Sequence, residues 1–254
     1  MEKLELPNPD KVTLLLTTEQ GDMQYCFDEI VYKKEGYRTL TKKISRQVKI
    51  GFMGVENNLY KYKLLCDEFN IETDFLGTAL EFILGQHINI FKKVIVQVNQ
   101  NGTIVSLVNV KDLQMRWATS RQELKAENQG IEIKNYIEEH DDFFSDKERI
   151  LKYMRTKTMF GLYFNDCWGH HDVKNPRYEG LLLQLDTPRK TYDRHTLHLA
   201  KPYSNDSKMI WKTKTEEKQQ LCEFIFKDNQ LKEAFLEINE FNKTSNYSIL
   251  CLNK

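Results

Sequence analysis

Glycine and proline are scarce in this chain, 11 and 5 among 254 residues, and nowhere do they gather into a Ser/Gly-rich or Pro-rich stretch. That excludes a flexible linker between two halves, and the lack of any repeat of fixed period excludes solenoids and propellers. The five cysteines, Cys26, Cys66, Cys167, Cys222 and Cys251, are odd in number, widely spaced and without a CxxC pair. Neither a disulfide framework nor a zinc ribbon fits, and the thiols read as those of a protein in a reducing, cytoplasmic compartment. Long apolar runs are missing too. The longest, Val12 to Leu16 with its Thr13, falls far short of the roughly 20 residues that cross a bilayer. Residues 1–10 have neither the basic start nor the apolar stretch of an export signal, so none is expected.

An excess of one charge is also absent. With 37 basic and 37 acidic side chains spread along the chain, no global field recruits nucleic acid or an anionic surface, and neither nucleic acid nor membrane insertion is expected. A local basic strip, Lys42, Lys43, Arg46 and Lys49, reads as the solvated face of a strand. Activity motifs are missing as well: there is no phosphate-binding loop, no dinucleotide fingerprint and no nucleophile elbow. Gly51 and Gly54 sit in a strand-to-turn region and read as a bend. No cofactor is expected.

What the chain does have is bulk: 14 Phe, 12 Tyr and 3 Trp, with 40% hydrophobic residues. A chain of this length can bury about 75% of its unfolded surface, so it needs no metal or disulfide to fold. Its periodicity changes twice, from strand-like to helical and back.

In the first part, residues 1–72, Val12 to Thr18 and Gln24 to Tyr32 read as strands. Ile44, Val48, Ile50 and Phe52 alternate with Ser45, Gln47, Lys49 and Gly51, the pattern of an antiparallel strand with one wet face. Leu59 to Leu65 repeats it, with Tyr60, Tyr62 and Leu64 on one side.

The central part, residues 73–164, is expected to hold helices plus one β-hairpin. Thr73 or Asp74 caps a helix whose apolar stripe is Leu76, Ala79, Leu80, Ile83, His87 and Ile90. Val94 to Val98 and Thr103 to Val108 flank Asn101 and Gly102, the dipeptide of a type I′ hairpin turn. Asn109 and Asp112 then open a helix with Val110, Leu113, Trp117 and Leu124 on one stripe, where Trp117 reads as core. Ile133, Tyr136, Ile137 and His140 mark another helix, and Ser145 with Glu148 forms a capping box ahead of Ile150, Leu151 and Met154.

Residues 177–254 return to strands: Leu181 to Leu185, Tyr192 to Leu199, Met209 to Lys214, Leu221 to Phe226, Leu231 to Ile238 after a tight turn at Asp228 and Asn229, and a last strand around Tyr247, Ile249 and Cys251 that reads as buried on both faces. The expectation is therefore one α+β domain over residues 1–254, a curved, mainly antiparallel sheet formed by the N- and C-terminal thirds with a central helical insertion packed across it or against one end. In its strand, helix, strand layout, though in no motif, this resembles the half-barrel lipoprotein carriers.

Two local clusters bring together residue types that carry chemistry. Cys167, His170, His171 and Asp172 offer metal-ligand types, but the two adjacent histidines of an extended segment point apart and no second pair stands at zinc-finger spacing. The segment reads as a polar loop capping the core through Trp168, with no metal. Tyr136, Phe143 and Phe144 beside Glu138, Glu139, Asp141 and Asp142 offer apolar anchors with a charged rim, the anatomy of a protein interface; the competing reading packs these aromatics face to face inside the helices. With no activity motif, the function expected by elimination is a non-catalytic protein-binding module: an adaptor, loading chaperone or inhibitor of immunity type. The alternatives are a carrier of an apolar small molecule held between sheet and helices, and a hydrolase whose site is assembled from distant residues.

Overall fold

The structure, a computed structural model, describes residues 11–18, 21–74, 89–127, 130–156, 158–164, 168–172, 192–199, 207–214, 218–227 and 230–252. It is mostly antiparallel β-sheet with a few helices. Strand β1 (Lys11–Leu14) precedes three long strands, β2 (Asp22–Glu35), β3 (Arg38–Glu56) and β4 (Leu59–Thr73). A short hairpin, β5 (Lys93–Val98) and β6 (Ile104–Leu107), leads into the helices α1 (Val110–Glu127), α2 (Ile131–Ser145), α3 (Lys147–Thr156) and α4 (Thr158–Tyr163). Then come β7 (Gly169–Asp172), β8 (Tyr192–Leu199), β9 (Ser207–Lys214), β10 (Lys218–Lys227), β11 (Gln230–Glu240) and β12 (Lys243–Cys251).

Ten of these strands form one open sheet in the order β6-β5-β4-β3-β2-β12-β11-β10-β9-β8. The N- and C-terminal thirds meet where β2 pairs with β12, Phe27 opposite Ile249 and Tyr25 opposite Cys251. Period-2 alternation then gives the sheet one apolar face: Tyr25, Phe27, Val48, Ile50, Leu64, Phe224, Leu236 and Ile249 are all buried. Short helix α4 lies across this face against β2, β11 and β12. Tyr163 meets Tyr25 edge-on at 5.1 Å and Phe164 packs on Tyr62 at 5.5 Å, so aromatic rings form the layer between helix and sheet.

The central hairpin is not separate from the sheet, as an insertion would be, but continues it beyond β4. Its turn also differs from expectation. Asn101 does not have positive φ; Gly102 does, at +85°, and its N–H bonds the Asn99 carbonyl at 3.0 Å while Asn99 N–H bonds the Thr103 carbonyl. That is a type I turn closed by a glycine bulge, built because the Asn99 side chain accepts from Asn101 and Thr103 N–H and sets the loop one residue earlier. The two positive φ values of a mirror-image turn fall instead on Asn57 and Asn58, between β3 and β4. Gly54 marks the expected bend, at a register slip between these same strands.

The helices depart from expectation at their ends. Asn109 opens α1, but its carboxamide ties the helix to the sheet, accepting from Ile95 N–H at 2.8 Å and donating to the Lys93 carbonyl. The stripe holds: Leu113, Trp117 and Leu124 are buried. The capping box at Ser145 and Glu148 does not form. α2 runs through Ser145, and Asp146 caps α3 instead, its carboxylate accepting from Glu148 N–H at 2.8 Å and Arg149 N–H at 3.2 Å. Asp146→Ala is therefore expected to lower stability by about 1 kcal/mol, read from the urea midpoint, while Ser145→Ala changes little. α3 guards the sheet edge: Arg155 donates to the Ile104 carbonyl at 2.6 Å, so β6 does not present a bare ladder.

Three other readings change. The first strand is short, Lys11–Leu14, and pairs with β7 outside the large sheet. β12 is not buried on both faces, because Leu250 is 49% exposed while Ile249 is 1% exposed. β4 continues to Thr73, so Thr73 is strand, and Asp74 bonds Thr41 through its backbone N–H and its carboxylate. The expected helical stripe up to His87, the strand at Leu181 to Leu185 and the turn at Asp228 and Asn229 lie outside the described residues.

A candidate binding cleft between sheet and helices

The aromatic members of the helical cluster turn inward. Phe144 is 1% exposed, stacked on Trp117 at 5.3 Å and tilted against Phe91 at 5.9 Å. Phe143, half-buried, meets Phe144 edge-on at 4.9 Å and Tyr153 at 5.4 Å. Tyr136, also half-buried, stacks on His140 at 3.9 Å. Burial raises the pKa of Tyr136 and leaves its hydroxyl without a hydrogen-bond partner, and the same desolvation lowers that of His140. Asp141 belongs to the packing as well, accepting from Trp117 Nε1 at 2.7 Å and pairing with Arg121 at 3.1 Å. Glu138, Glu139 and Asp142 stay exposed, with Lys134 at 3.9 Å from Glu138. The structure thus brings the rings together as a layer between α1, α2 and α3 and leaves these three carboxylates on the outside. Arg116 is spent locally, donating to the Ile90 and Lys93 carbonyls.

The histidine segment is a strand, β7, because it pairs with β1. His170 is exposed with Nδ1 2.8 Å from the Thr13 hydroxyl, and His171 is buried on the other side. The side chains of Cys167 and Asp172 lie outside the described residues, and among the described residues no three His, Cys, Asp or Glu converge. Trp168 caps the core: it is 2% exposed, donates Nε1–H to the Tyr163 carbonyl at 3.0 Å and sets its ring edge-on to Phe226 at 5.3 Å. Among the described residues, Cys26, Cys66, Cys222 and Cys251 form no disulfide, and of these Cys222 alone is fully buried.

A different group of residues forms a shallow cleft, open to solvent and with a cavity volume of about 20 Å³, where α4 meets β2, β3 and β12. Phe27, Ile44, Leu162, Tyr247 and Ser248 wall it, and Asp28, Glu29 and Arg46 are its charged members; Asp28 accepts from the Ser45 hydroxyl. Glu29 holds Lys42 at 2.8 Å, both side chains 24% exposed. Arg46 is partly buried and has no hydrogen bond or ion pair among the described residues. Its positive field opposes the effect of burial on Cys66 and Tyr153, whose pKa values burial still pushes up to about 11 and about 12. Tyr247 is likewise pushed up to about 12, by burial and then by Glu29. All three stay protonated at neutral pH, so none of them is an activated base or nucleophile, and the cleft sets the Arg46 cation and the Tyr247 and Ser248 hydroxyls beside the carboxylates of Asp28 and Glu29.

The basic strip therefore splits. Lys43 and Lys49 point to the open face, where Lys49 pairs with Asp67 at 2.5 Å, but Lys42 and Arg46 stand on the helix-covered face. The overlooked signal was parity: Arg46 occupies an apolar-face position between Ile44 and Val48.

No protein-family model matches the chain, and no curated protein sequence does. A solved structure titled for lipid–protein interactions in lipovitellin is similar with a TM-score of 0.45 and 9% identity, the match covering 93% of this chain and 26% of that one. No described helix is long and apolar enough to cross a membrane.

Proposed function

We propose that this chain is a non-catalytic protein-binding module in which the sheet curves around the helices, and that its cleft takes an acidic side chain or a terminal carboxylate of a partner protein. The observation that carries this reading is the Arg46 guanidinium, unpaired among the described residues, in a cleft whose apolar walls are Phe27, Ile44, Leu162 and Tyr247. A partly buried cation without a counter-ion is costly, and a carboxylate meets the planar guanidinium fork with two charge-assisted hydrogen bonds. Size points the same way: the cavity volume of about 20 Å³ lies far below the roughly 300–1,000 Å³ of small-molecule pockets. A carrier of apolar molecules would need open space between sheet and helices, where Tyr25, Tyr62, Tyr163 and Phe164 instead pack against one another. An adaptor, a loading chaperone and an inhibitor all fit this description.

The test is native co-purification followed by quantitative binding of the captured partner. Arg46→Gln should weaken binding at least about tenfold, the scale of one charge-assisted pair, and leave the melting temperature equal or higher, since an unpaired charge has gone. Undiminished binding by Arg46→Gln would remove the cleft from the interface.

A further inference from the structure

Two aromatic rings stand wholly in water at neighbouring hairpin tips. Tyr37, in the β2–β3 turn, and Phe241, in the β11–β12 turn, have relative exposures of 110% and 102%. The β2–β12 ladder sets these turns side by side, with Lys33 opposite Lys243 and Lys34 N–H donating to the Asn242 carbonyl at 2.8 Å. Single exposed apolar residues are ordinary on any surface. Two fully exposed rings on adjacent tips, at one end of one sheet, are a local concentration that folding does not require.

The charge around them has a sign. Lys33, Lys34, Arg38 and Lys243 stand against Glu35 and Glu240, four cations to two carboxylates. Lys33 and Glu35 pair at 2.5 Å, which leaves Lys34, Arg38 and Lys243 exposed and without an ion pair among the described residues. Because successive strand residues alternate faces, Lys34 lies on the open face while Lys33, Arg38 and Lys243 lie on the other, so cations flank the rings on both sides of the sheet.

We propose that this end of the sheet docks reversibly on an anionic membrane surface. Rings at the ends of rigid hairpins reach the apolar–polar boundary of a bilayer, the level that aromatic side chains favour. Lysine and arginine just behind them meet the lipid phosphates. Projecting tips with cations on both sides match a flat, negative surface better than the pocket of a protein, which would have to enclose both turns. The contact is superficial, with nothing spanning the bilayer, and it is independent of the Arg46 cleft.

The experiment is vesicle co-sedimentation of the full chain with phosphatidylcholine alone and with phosphatidylcholine containing phosphatidylserine. The chain should pellet with the phosphatidylserine vesicles and much less with the neutral ones. The double variant Tyr37→Ser, Phe241→Ser should lose roughly thirtyfold in partitioning, the scale of two partly buried rings. Arg38→Gln with Lys243→Gln should lose about tenfold. Both keep the parent melting temperature, because these side chains are exposed, and Arg46→Gln should sediment like the parent. Absence of pelleting with phosphatidylserine, equal pelleting with both vesicles, or full binding by the Tyr37, Phe241 variant each overturns the proposal.

Discussion

Phe144→Ala is expected to lower stability by about 3–5 kcal/mol, the range for emptying a phenylalanine site in a packed core. The ring is 1% exposed and lies between Trp117, Phe91 and Phe143. Its removal would leave a cavity that three helices cannot close without giving up the Trp117 to Asp141 hydrogen bond of 2.7 Å. Urea denaturation with Phe143→Ala as comparison measures this. The half-buried Phe143 should cost clearly less, and Glu138→Gln and Glu139→Gln should stay within about 0.5 kcal/mol of the parent. A Phe144→Ala protein with the parent midpoint would mean that these rings do not form a common core.

Among the described glycines, Gly102→Ala should be the most damaging substitution, at about 2–5 kcal/mol. Two costs combine: φ is +85°, a region that costs an L-residue about 1–2 kcal/mol, and the new Cβ would overlap Trp168 Cδ1, with overpacking worth about 1–3 kcal/mol more. The two can be separated. In a Trp168→Ala background the overlap vanishes, so Gly102→Ala should then cost only the backbone share, leaving a coupling of at least about 1 kcal/mol between the sites. An additive double variant would show that the Trp168 ring does not rest on this turn.

That glycine illustrates why turn chemistry was only partly legible. Asn101 and Gly102 announced a hairpin, correctly, because the flanking β-branched runs leave little else. The turn type was decided by Asn99, whose carboxamide gathers two N–H groups, and by the indole that needs a bare Cα above it. Similarly, the S-x-x-E signal at Ser145 was outcompeted by Asp146 one residue on, because α2 extends through Ser145.

The candidate cleft was less legible. Phe27, Ile44 and Tyr247 stood out as strand residues, but the cleft they share exists only because β2 lies between β3 and β12 and α4 crosses them. Lys42, Lys43, Arg46 and Lys49 read as one solvated strip, although successive residues of a strand face opposite sides, so that Lys42 and Arg46 lie on one face and Lys43 and Lys49 on the other.

By itself the sequence determined the local alternation: which segments become strands, which stripe of α1 is buried, that Trp117 and Trp168 are core, and that no nucleotide-binding or nucleophile signature is present. These follow from periods of 2 and 3.6 and from spacing along one segment, which need no partner. The tertiary structure decided what depends on neighbours distant in the chain. It joined β2 to β12 across more than half of the sequence, extended the sheet through β5 and β6, sent β1 to β7, and turned Phe144 inward. It also left Arg46 without a counter-ion among the described residues and set Tyr37 beside Phe241. Strand order carries no local signature, because a half-buried strand presents the same alternation to any partner; only the shared register reveals which side chains meet.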